Sequence, residues 1–484
     1  MPVDSIMQIQ NYIGGRLQPP ESNDWLDNFE PATGQAYSQV PNSSTADVDK
    51  AVEAASRAAK SWAQTPVDVR CQHFFRIADL IDRDAESLVH AESRDNGKTL
   101  KLARETDIPR ASKNFRFFAG SALNEHSASH SAPGTLNYTL QQPLGAVACI
   151  SPWNLPLYLL TWKIAPALVM GNCVVAKPSE VTPMTAYLLS KLCMEAGLPP
   201  GVLNIVHGTG AETGNSLISH PKIRAVSFTG GTKTGRHIAS IVAPQFRKLS
   251  LEMGGKNPNV VFADCDYEKM LSTTLRSSFA NQGQICLCGS RIYIERPLYE
   301  KFRNDLVERA NKLIVGDPND AGSDLGAVVS GEHQTKILAA LDRARSEGGN
   351  ILCGGNAAKV DGRCKSGWFV APTVIDGLDS NCATNQEEIF GPVVTLQPFD
   401  SDDQAVELAN ATRYGLSATV WTRNVSRAMN VAEQIEAGVV WVNGWMVRDL
   451  RTPFGGVKQS GVGREGGDDA FAFWTEKKNV CVSY

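Results

Sequence analysis

The chain changes its hydrophobic period several times, and those changes mark its parts. Over residues 8–45 apolar and polar positions alternate in short runs, with turns at Ile13-Gly14-Gly15 and Pro31-Ala32-Thr33-Gly34, which predicts short strands. Residues 46–63 then carry apolar side chains at helical spacing. The same spacing continues over 67–105 with a break at Asn96-Gly97, and a further helix is predicted over 107–125 behind Ile108-Pro109. Residues 135–142 alternate as a strand with one wet face does. From 145 onward strand and helix take turns: strands at 145–150, 173–177, 202–206 and 225–229, and helices opening at Thr182-Pro183 and spanning 212–219 and 234–242. Proline at a helix start and Gly197 at its end are ordinary punctuation. That alternation predicts an α/β fold with a doubly wound parallel sheet.

A second α/β unit is predicted over 255–450. Its strands are 259–262, 291–294, 393–399 and 418–421, and its helices 267–280, 300–313, 332–347, 402–411 and 426–435. Residues 479–484 read as a short strand that needs a partner edge, on another subunit if not on its own.

At 484 residues the chain predicts two or more domains. Hydrophobic content of 42% and charged content of 20% are those of an ordinary globular protein. Net charge is −4 with no polybasic run, so nucleic acid and anionic membrane surfaces are not expected partners. The most apolar window, 145–176, is interrupted by Pro152, Asn154, Pro156, Lys163 and Pro166, and reads as buried strand, turn and helix rather than a membrane span. The start, Met-Pro-Val-Asp-Ser, has no basic segment followed by an apolar one, so no export signal is expected. Eleven cysteines without a framework fit a reducing, cytoplasmic setting, and no third or fourth ligand turns Cys286 and Cys288 into a metal site.

Three segments carry chemistry. Cys286 lies in the small-residue turn Asn281-Gln-Gly-Gln-Ile-Cys, Glu252 in Leu251-Glu-Met-Gly-Gly-Lys-Asn-Pro, and Asn154 in Ser151-Pro-Trp-Asn-Leu-Pro. An average cysteine is a small buried apolar residue, an average glutamate a surface acid and an average asparagine a turn cap. Together, a thiol, a carboxylate and an amide are the groups needed to attack a carbonyl, hydrolyse the resulting thioester and hold an oxyanion. A further segment, Phe228-Thr-Gly-Gly-Thr-Lys-Thr-Gly235, follows a strand and opens a helix, the context for a phosphate at a helix N-terminus, although it is not Gly-x-Gly-x-x-Gly.

In order and spacing these segments resemble the NAD(P)-dependent aldehyde dehydrogenase superfamily over nearly the whole chain. The resemblance implies a Rossmann-type NAD-binding domain (1–122 and 145–254), a catalytic domain (255–452), and an oligomerisation arm with a C-terminal segment (123–144 and 453–484), assembled as a homodimer or homotetramer. It makes Cys286 the nucleophile that forms a thiohemiacetal and then a thioester, Glu252 the base that activates water, and Asn154 with the Cys286 N–H the oxyanion hole. Members that pass the acyl group to coenzyme A generally lack this glutamate, so a free acid is the expected product.

The resemblance also assigns the cofactor residues. Ile150, Ser151, Pro152 and Trp153 follow the first strand of the unit, and Lys177, Ser179 and Glu180 follow the second. Gly210 and Gly214 open the next helix, and Phe228, Thr229, Gly230, Gly231, Thr234 and Gly235 form the phosphate turn. Met253 and Gly254 follow the candidate base, and Glu388 and Phe390 belong to Glu387-Glu-Ile-Phe-Gly-Pro. A carboxylate at Glu180 can accept from both ribose hydroxyls and repels a 2′-phosphate, which predicts NAD over NADP. Many members carry serine where Gly231 stands, so one hydroxyl contact to phosphate is absent here.

The expected substrate is a small aldehyde carrying a carboxylate. Arg448 stands in the tunnel-mouth loop Asn443-Gly-Trp-Met-Val-Arg-Asp-Leu-Arg451, where apolar residues are common, and Arg110 opens a helix that faces the tunnel in the superfamily. Arg451, Trp162, Leu159 and Phe454 complete the expected tunnel lining. These segments resemble the branch acting on 2-aminomuconate and 2-hydroxymuconate 6-semialdehydes, intermediates of tryptophan or catechol breakdown. The plain alternative for each arginine is a surface residue paired with an acid, and Asp107 and Asp449 are at hand. Two rival readings remain: a broad-specificity or amino-aldehyde dehydrogenase, and a catalytically silent protein on the same scaffold.

Overall fold

The computed structural model describes residues 6–484; the opening Met-Pro-Val-Asp-Ser, in which no export signal is expected, lies outside them. Two sheets organise the chain. The first has eight strands in the order Gly461–Val462, Lys248–Glu252, Ala225–Thr229, Ala146–Ile150, Cys173–Lys177, Leu203–Ile205, Asn11–Ile13 and Arg16–Gln18. The five strands from Lys248–Glu252 to Leu203–Ile205 run parallel, as the alternation predicts. Ala146–Ile150 and Cys173–Lys177 are small and β-branched because helices cover both faces of the sheet. One of them, Thr45–Gln64, turns Val48, Ala51, Val52, Ala55 and Trp62 inward, and Asp47 accepts the Ser44 N–H at 2.9 Å to cap it.

The strand order reverses between Ala146–Ile150 and Ala225–Thr229, which are neighbours in space but not in sequence. Their carboxyl ends therefore splay apart into a crevice, the place where doubly wound sheets bind ligands.

The second sheet has seven strands in the order Asn350–Cys353, Thr373–Asp376, Val393–Phe399, Gly289–Glu295, Asn257–Val261, Ser417–Trp421 and Val439–Val442, with only the first antiparallel to its neighbour. Three of these, Asn350–Cys353, Thr373–Asp376 and Val439–Val442, are missed by the sequence reading, because four residues are too few to display a period. Lys248–Glu252 is a strand as well, so Glu252 stands at the end of a rigid element.

Other expectations shift. The stretch 67–105 breaks at Asp84 as well as at left-handed Gly97, and winds wider over Ala103–Asp107. Pro183 caps the helix Met184–Glu195 rather than opening it, since the Asp95 carboxylate accepts the Met184 N–H at 2.6 Å and fixes the start. The final strand is longer than read, Thr475–Ser483, and its partner is Thr135–Pro143 of the same chain, in nine antiparallel pairs. Within 453–484, Val457–Lys458 pairs with Tyr414–Gly415 and Gly461–Val462 with the Lys248–Glu252 strand, so this segment stitches the two units together before it reaches the arm. No helix among the described residues is long and apolar enough to cross a membrane.

Candidate active site

Cys286 is delivered by a strained turn. After the helix Tyr267–Phe279 come three successive left-handed residues, Asn281, Gln282 and Gly283. Non-glycine residues pay for that conformation, so neighbours must hold it. Gln282 Nε2 donates to Ala327 O at 2.6 Å, and Gln284 Oε1 accepts the Val329 N–H at 3.0 Å. Gly283 packs so closely that a Cβ there would lie 2.0 Å from Gly391 O. Beyond the turn, Asn257 Nδ2 donates to Cys286 O at 2.7 Å and Cys288 O at 2.9 Å, which locks the backbone of both cysteines. Cys288 is buried in the core and Cys286 is the more accessible of the two.

Asn154 comes to the same place from the first sheet. Its Nδ2 donates to Gln284 O at 3.0 Å, two residues before Cys286. An amide carries two N–H groups, so one remains for a substrate oxygen. Glu252 is 4% exposed, and neither carboxylate oxygen has a hydrogen-bond partner. Burial first, and the nearby Glu465 carboxylate second, push its pKa well above the usual carboxylate range. Behind it lies a buried network that the sequence reading did not assign. Lys163 Nζ is 2.7 Å from Glu465 Oε1 and donates to Ser227 Oγ at 2.9 Å, and Ser227 Oγ donates to Glu465 at 3.0 Å. The signal in the sequence is a lysine inside the apolar helix Pro156–Val169.

The Cys286 thiol is also pushed up, by burial and then by the Glu388 and Glu252 carboxylates, so the free protein holds it protonated and a base must take its proton. Iodoacetamide should therefore modify Cys286 slowly near neutral pH and ever faster across the alkaline range, still climbing beyond the ordinary thiol pKa of about 8.5. Peptide mass spectrometry reads this directly, and a rate that stays flat across that range contradicts it.

The crevice at the strand reversal is a cavity of about 250 Å³. Ile150, Ser151, Pro152 and Trp153 line one wall, Lys177, Ser179 and Glu180 another. Gly210, Gly214, Phe228, Thr229, Gly230, Gly231 and Thr234 close it, together with the unforeseen Asn215, Ile218, His237 and Ile238. The helix Thr232–Val242 begins here at Gly231 with no side-chain cap, so its first N–H groups are open to an anion. Lys177 Nζ sits 3.2 Å from Glu180 Oε2 at the far end. Gly235 and Met253 lie beneath the cavity rather than in it: a Cβ on Gly235 would be 2.3 Å from Met253 Sδ, so the glycine lets helix and strand pack.

Glu388 and Phe390 are not brought into that crevice. They line a neighbouring space of about 20 Å³ with Gly255 and Lys256. Glu388 accepts the Gly255 N–H at 3.1 Å and is folded so tightly on Gly254 that a Cβ there would be 1.9 Å from its oxygen. Burial lifts Glu388 to about 7. Phe390 links the two spaces, its ring edge-on to Trp153 at 5.3 Å.

A third cavity, of about 440 Å³, opens beside Ile285, next to Cys286, and is lined by Arg110, Tyr158, Arg276, Trp445, Met446 and Arg448 among others. The Arg110 guanidinium stacks on Tyr158 at 4.7 Å and Trp162 at 5.2 Å, and donates through Nε to Asn114 at 2.8 Å, while its Nη2 has no partner. Burial, with Arg448 adding repulsion, lowers its pKa to about 10. Arg448 lies over Phe454 at 3.9 Å and Trp162 at 5.8 Å. The acids expected as partners are taken elsewhere: Asp107 by Lys98 at 2.9 Å and Asp449 by Arg451 at 2.6 Å. Arg451 is thereby excluded from the cavity, its side chain 80% exposed. Leu159 is half-buried on the helix that carries Trp162 and is not part of the cavity lining. Arg276, Lys113 and Glu105 line it unforeseen, because nothing in their local sequence distinguishes them from surface charges.

A thiol, an amide donor and an unpaired carboxylate gathered beside a parallel sheet with a switch-point crevice suit an α/β enzyme built on a dinucleotide-binding sheet. Comparison with known proteins makes the class definite. The profile of the aldehyde dehydrogenase family matches residues 18–480. The 2-aminomuconic semialdehyde dehydrogenase of Danio rerio is 49% identical over 98% of both chains, and the 2-hydroxymuconic semialdehyde dehydrogenase of Pseudomonas sp. (strain CF600) is 44% identical over 98% of this chain and 99% of that one. Betaine aldehyde dehydrogenase from Staphylococcus aureus, solved with NAD+, superposes with a TM-score of 0.96 at 35% identity, over 98% of this chain and 95% of that one. The chain belongs to the aldehyde dehydrogenase family.

Proposed function

We propose that this protein oxidises a carboxylate-bearing aldehyde, a 2-amino- or 2-hydroxymuconate 6-semialdehyde, to the corresponding dicarboxylate with NAD. The observation that carries the substrate reading is the pair of guanidiniums, Arg110 and Arg448, in the cavity beside Cys286 with no ion-paired protein carboxylate on either; Trp162 and Phe454 do not line that cavity but are buried behind it, under the two guanidiniums. An unpaired, half-buried guanidinium is costly to keep unless a ligand anion completes it. The names of the relatives point the same way.

NAD fits the crevice. The open N-terminus of Thr232–Val242 would take its pyrophosphate and Lys177 and Glu180 its adenine ribose, while Glu388 and Phe390, in the neighbouring space that Phe390 joins to Trp153, would take its nicotinamide end. When bound, it supplies the acceptor for the hydride leaving the substrate carbon. The protein's own groups do the rest. The Cys286 sulfur, freed of its proton by Glu252, adds to the aldehyde carbon and gives a thiohemiacetal. The remaining N–H of Asn154 and the Cys286 backbone N–H hold the oxygen as it gains charge. Once the thioester has formed and Glu252 has released the thiol proton to solvent, its carboxylate takes a proton from water, which attacks the acyl carbon. The thiolate leaves and regains a proton from Glu252, and the acid is released. The Lys163–Glu465 pair behind Glu252 supports its charge changes.

The cysteines are all free thiols, in keeping with a cytoplasmic protein. The three-stranded arm, with Thr475–Ser483 at its edge, is the expected contact of a homodimer or homotetramer.

Gly231 allows a direct check of where the pyrophosphate sits. A Cβ there meets nothing within 4 Å and the backbone suits serine. Gly231→Ser should tighten NAD binding two- to five-fold, the value of one added hydrogen bond of about 0.5–1 kcal/mol. Titration calorimetry with an unchanged Kd would place the pyrophosphate elsewhere. The substrate reading is tested by NADH formation at 340 nm with a muconate 6-semialdehyde beside a neutral aldehyde of equal length. Equal use of both returns the protein to the broad-specificity reading.

A further inference from the structure

Asn154 is held from behind by charged side chains that no step above uses. Glu92, Lys98 and Asp107 are fully buried, and they converge on the backbone around residue 154. Lys98 Nζ donates to Asn154 O at 3.1 Å and lies 2.9 Å from Asp107 Oδ2. Asn281 Nδ2, from the cysteine turn, donates to the same carbonyl at 2.9 Å, and Asn96 Nδ2 donates to Trp153 O, also at 2.9 Å. Glu92 Oε1 accepts the Leu157 N–H at 3.3 Å, at the start of the next helix. The peptide that carries the candidate oxyanion amide is therefore gripped from the end of Ala85–Asn96, from the turn after left-handed Gly97, and from the cysteine loop.

Lys98 and Asp107 form a buried ion pair. Burial, with Asp107 adding repulsion, raises the Glu92 pKa well above the usual carboxylate range, and burial raises Asp107 too, against the lowering pull of Lys98. An isolated buried ion pair is an expensive way to fill a core, and apolar residues of similar size would do it as well or better. What an ammonium adds is a strong, directional donor to one carbonyl oxygen. That carbonyl belongs to Asn154. Asp107, at the other end of the pair, directly precedes Ile108–Ala122, the helix that carries Arg110.

We propose that Lys98, anchored by Asp107, is a positioning residue that sets the aim of the Asn154 amide at the substrate oxygen, and that the same anchor ties the helix bearing Arg110 to the oxyanion site. This rests on the reading of Asn154 as oxyanion donor. It fixes an order of dependence: Lys98 acts through Asn154, so removing Lys98 costs nothing further once the amide is gone.

The test is a double-mutant cycle on the full-length enzyme with Lys98→Met, Asn154→Ala and the double variant. The readout is the pre-steady-state NADH burst rate, normalised to the Cys286 thiol titrated with labelled iodoacetamide, beside the NAD Kd. Lys98→Met is expected to slow the burst at least ten-fold per titrated thiol with the NAD Kd within two-fold of wild type. The double variant should be no slower than Asn154→Ala alone. Losses that multiply in the double variant overturn the proposal, and so does an unchanged per-thiol rate with only a lower melting temperature. If Lys98→Met does not fold, Asp107→Asn keeps the shape and takes its place: a three-fold or larger non-additive loss supports the proposal, an additive or absent one overturns it. Should Asn154→Ala itself leave the burst intact, the oxyanion reading fails, a result distinct from failure of the Lys98 cycle.

Discussion

Arg448→Ala is expected to lower kcat/KM for a muconate 6-semialdehyde by about 10- to 150-fold while changing that for a neutral aldehyde of equal length by less than about three-fold. A charge-assisted hydrogen bond contributes about 1.5–3 kcal/mol, and every 1.4 kcal/mol is ten-fold. The discrimination arises because Arg448 has no acid of its own in the protein; its nearest companions are the Phe454 and Trp162 rings. Removing it takes nothing from an internal ion pair. The small loss with neutral substrate measures the packing over Phe454 that goes with the guanidinium. Arg110→Ala should behave alike, and the double variant should lose less than the product of the two, since both would hold one carboxylate. Equal losses on charged and neutral substrates would mean that the cavity has collapsed rather than lost a clamp.

Glu252→Gln should separate the two halves of the reaction. With no carboxylate to activate water, steady-state turnover is expected to fall 10²- to 10⁴-fold, the usual worth of a general base. If bulk water can still take the thiol proton at alkaline pH, a burst of NADH close to one per site should survive there, followed by an acyl-enzyme visible by intact-protein mass spectrometry. Loss of burst and turnover together at every pH would show that Glu252 is needed to activate Cys286 as well. The pH profile follows from the same environment. Burial and Glu465 hold the Glu252 pKa above the carboxylate range, so the active, ionised form is lost as pH falls through that raised value. The acid limb of kcat should therefore lie above that of an exposed glutamate, and Glu465→Gln, which removes the repelling charge, should move it down.

The parts legible in the sequence were those where one residue type in one local setting determines the outcome. The small, branched runs at 146–150 and 173–177 read as buried strands and are buried parallel strands, and the glycines after residue 229, weak evidence by themselves, gain their meaning from the strand before them and the helix after. Cys286, Asn154 and Glu252 each sit in a distinctive turn or strand end. What was not legible depends on partners far along the chain. Asp107 lies three residues before Arg110 and was a natural partner for it, yet it belongs to Lys98. Lys163 and Glu465 meet across 302 residues, a pairing no local pattern announces. Arg448 and Arg451 share one loop, and the expectation that both line the tunnel holds for Arg448 alone, because Asp449 turns Arg451 to solvent.

The three-stranded arm imposes a timetable on synthesis. The Ser129–Ala132 and Thr135–Pro143 hairpin leaves the ribosome early, but the strand that pairs with it emerges much later; Thr475 hydrogen-bonds to Gln141 across 334 residues. At roughly 5–20 residues per second, the long strand of that hairpin waits about 15–70 s with an unpaired edge. An open edge is a template for mispairing between nascent chains on one messenger. The wait is tolerable because the hairpin is nearly all polar or small, Ser-His-Ser-Ala on one strand and Thr-Leu-Asn-Tyr-Thr-Leu-Gln-Gln-Pro on the other. The same arrangement makes the arm the last sheet to close: a prematurely terminated chain carries the early strands of the first sheet but lacks the strand that completes the arm.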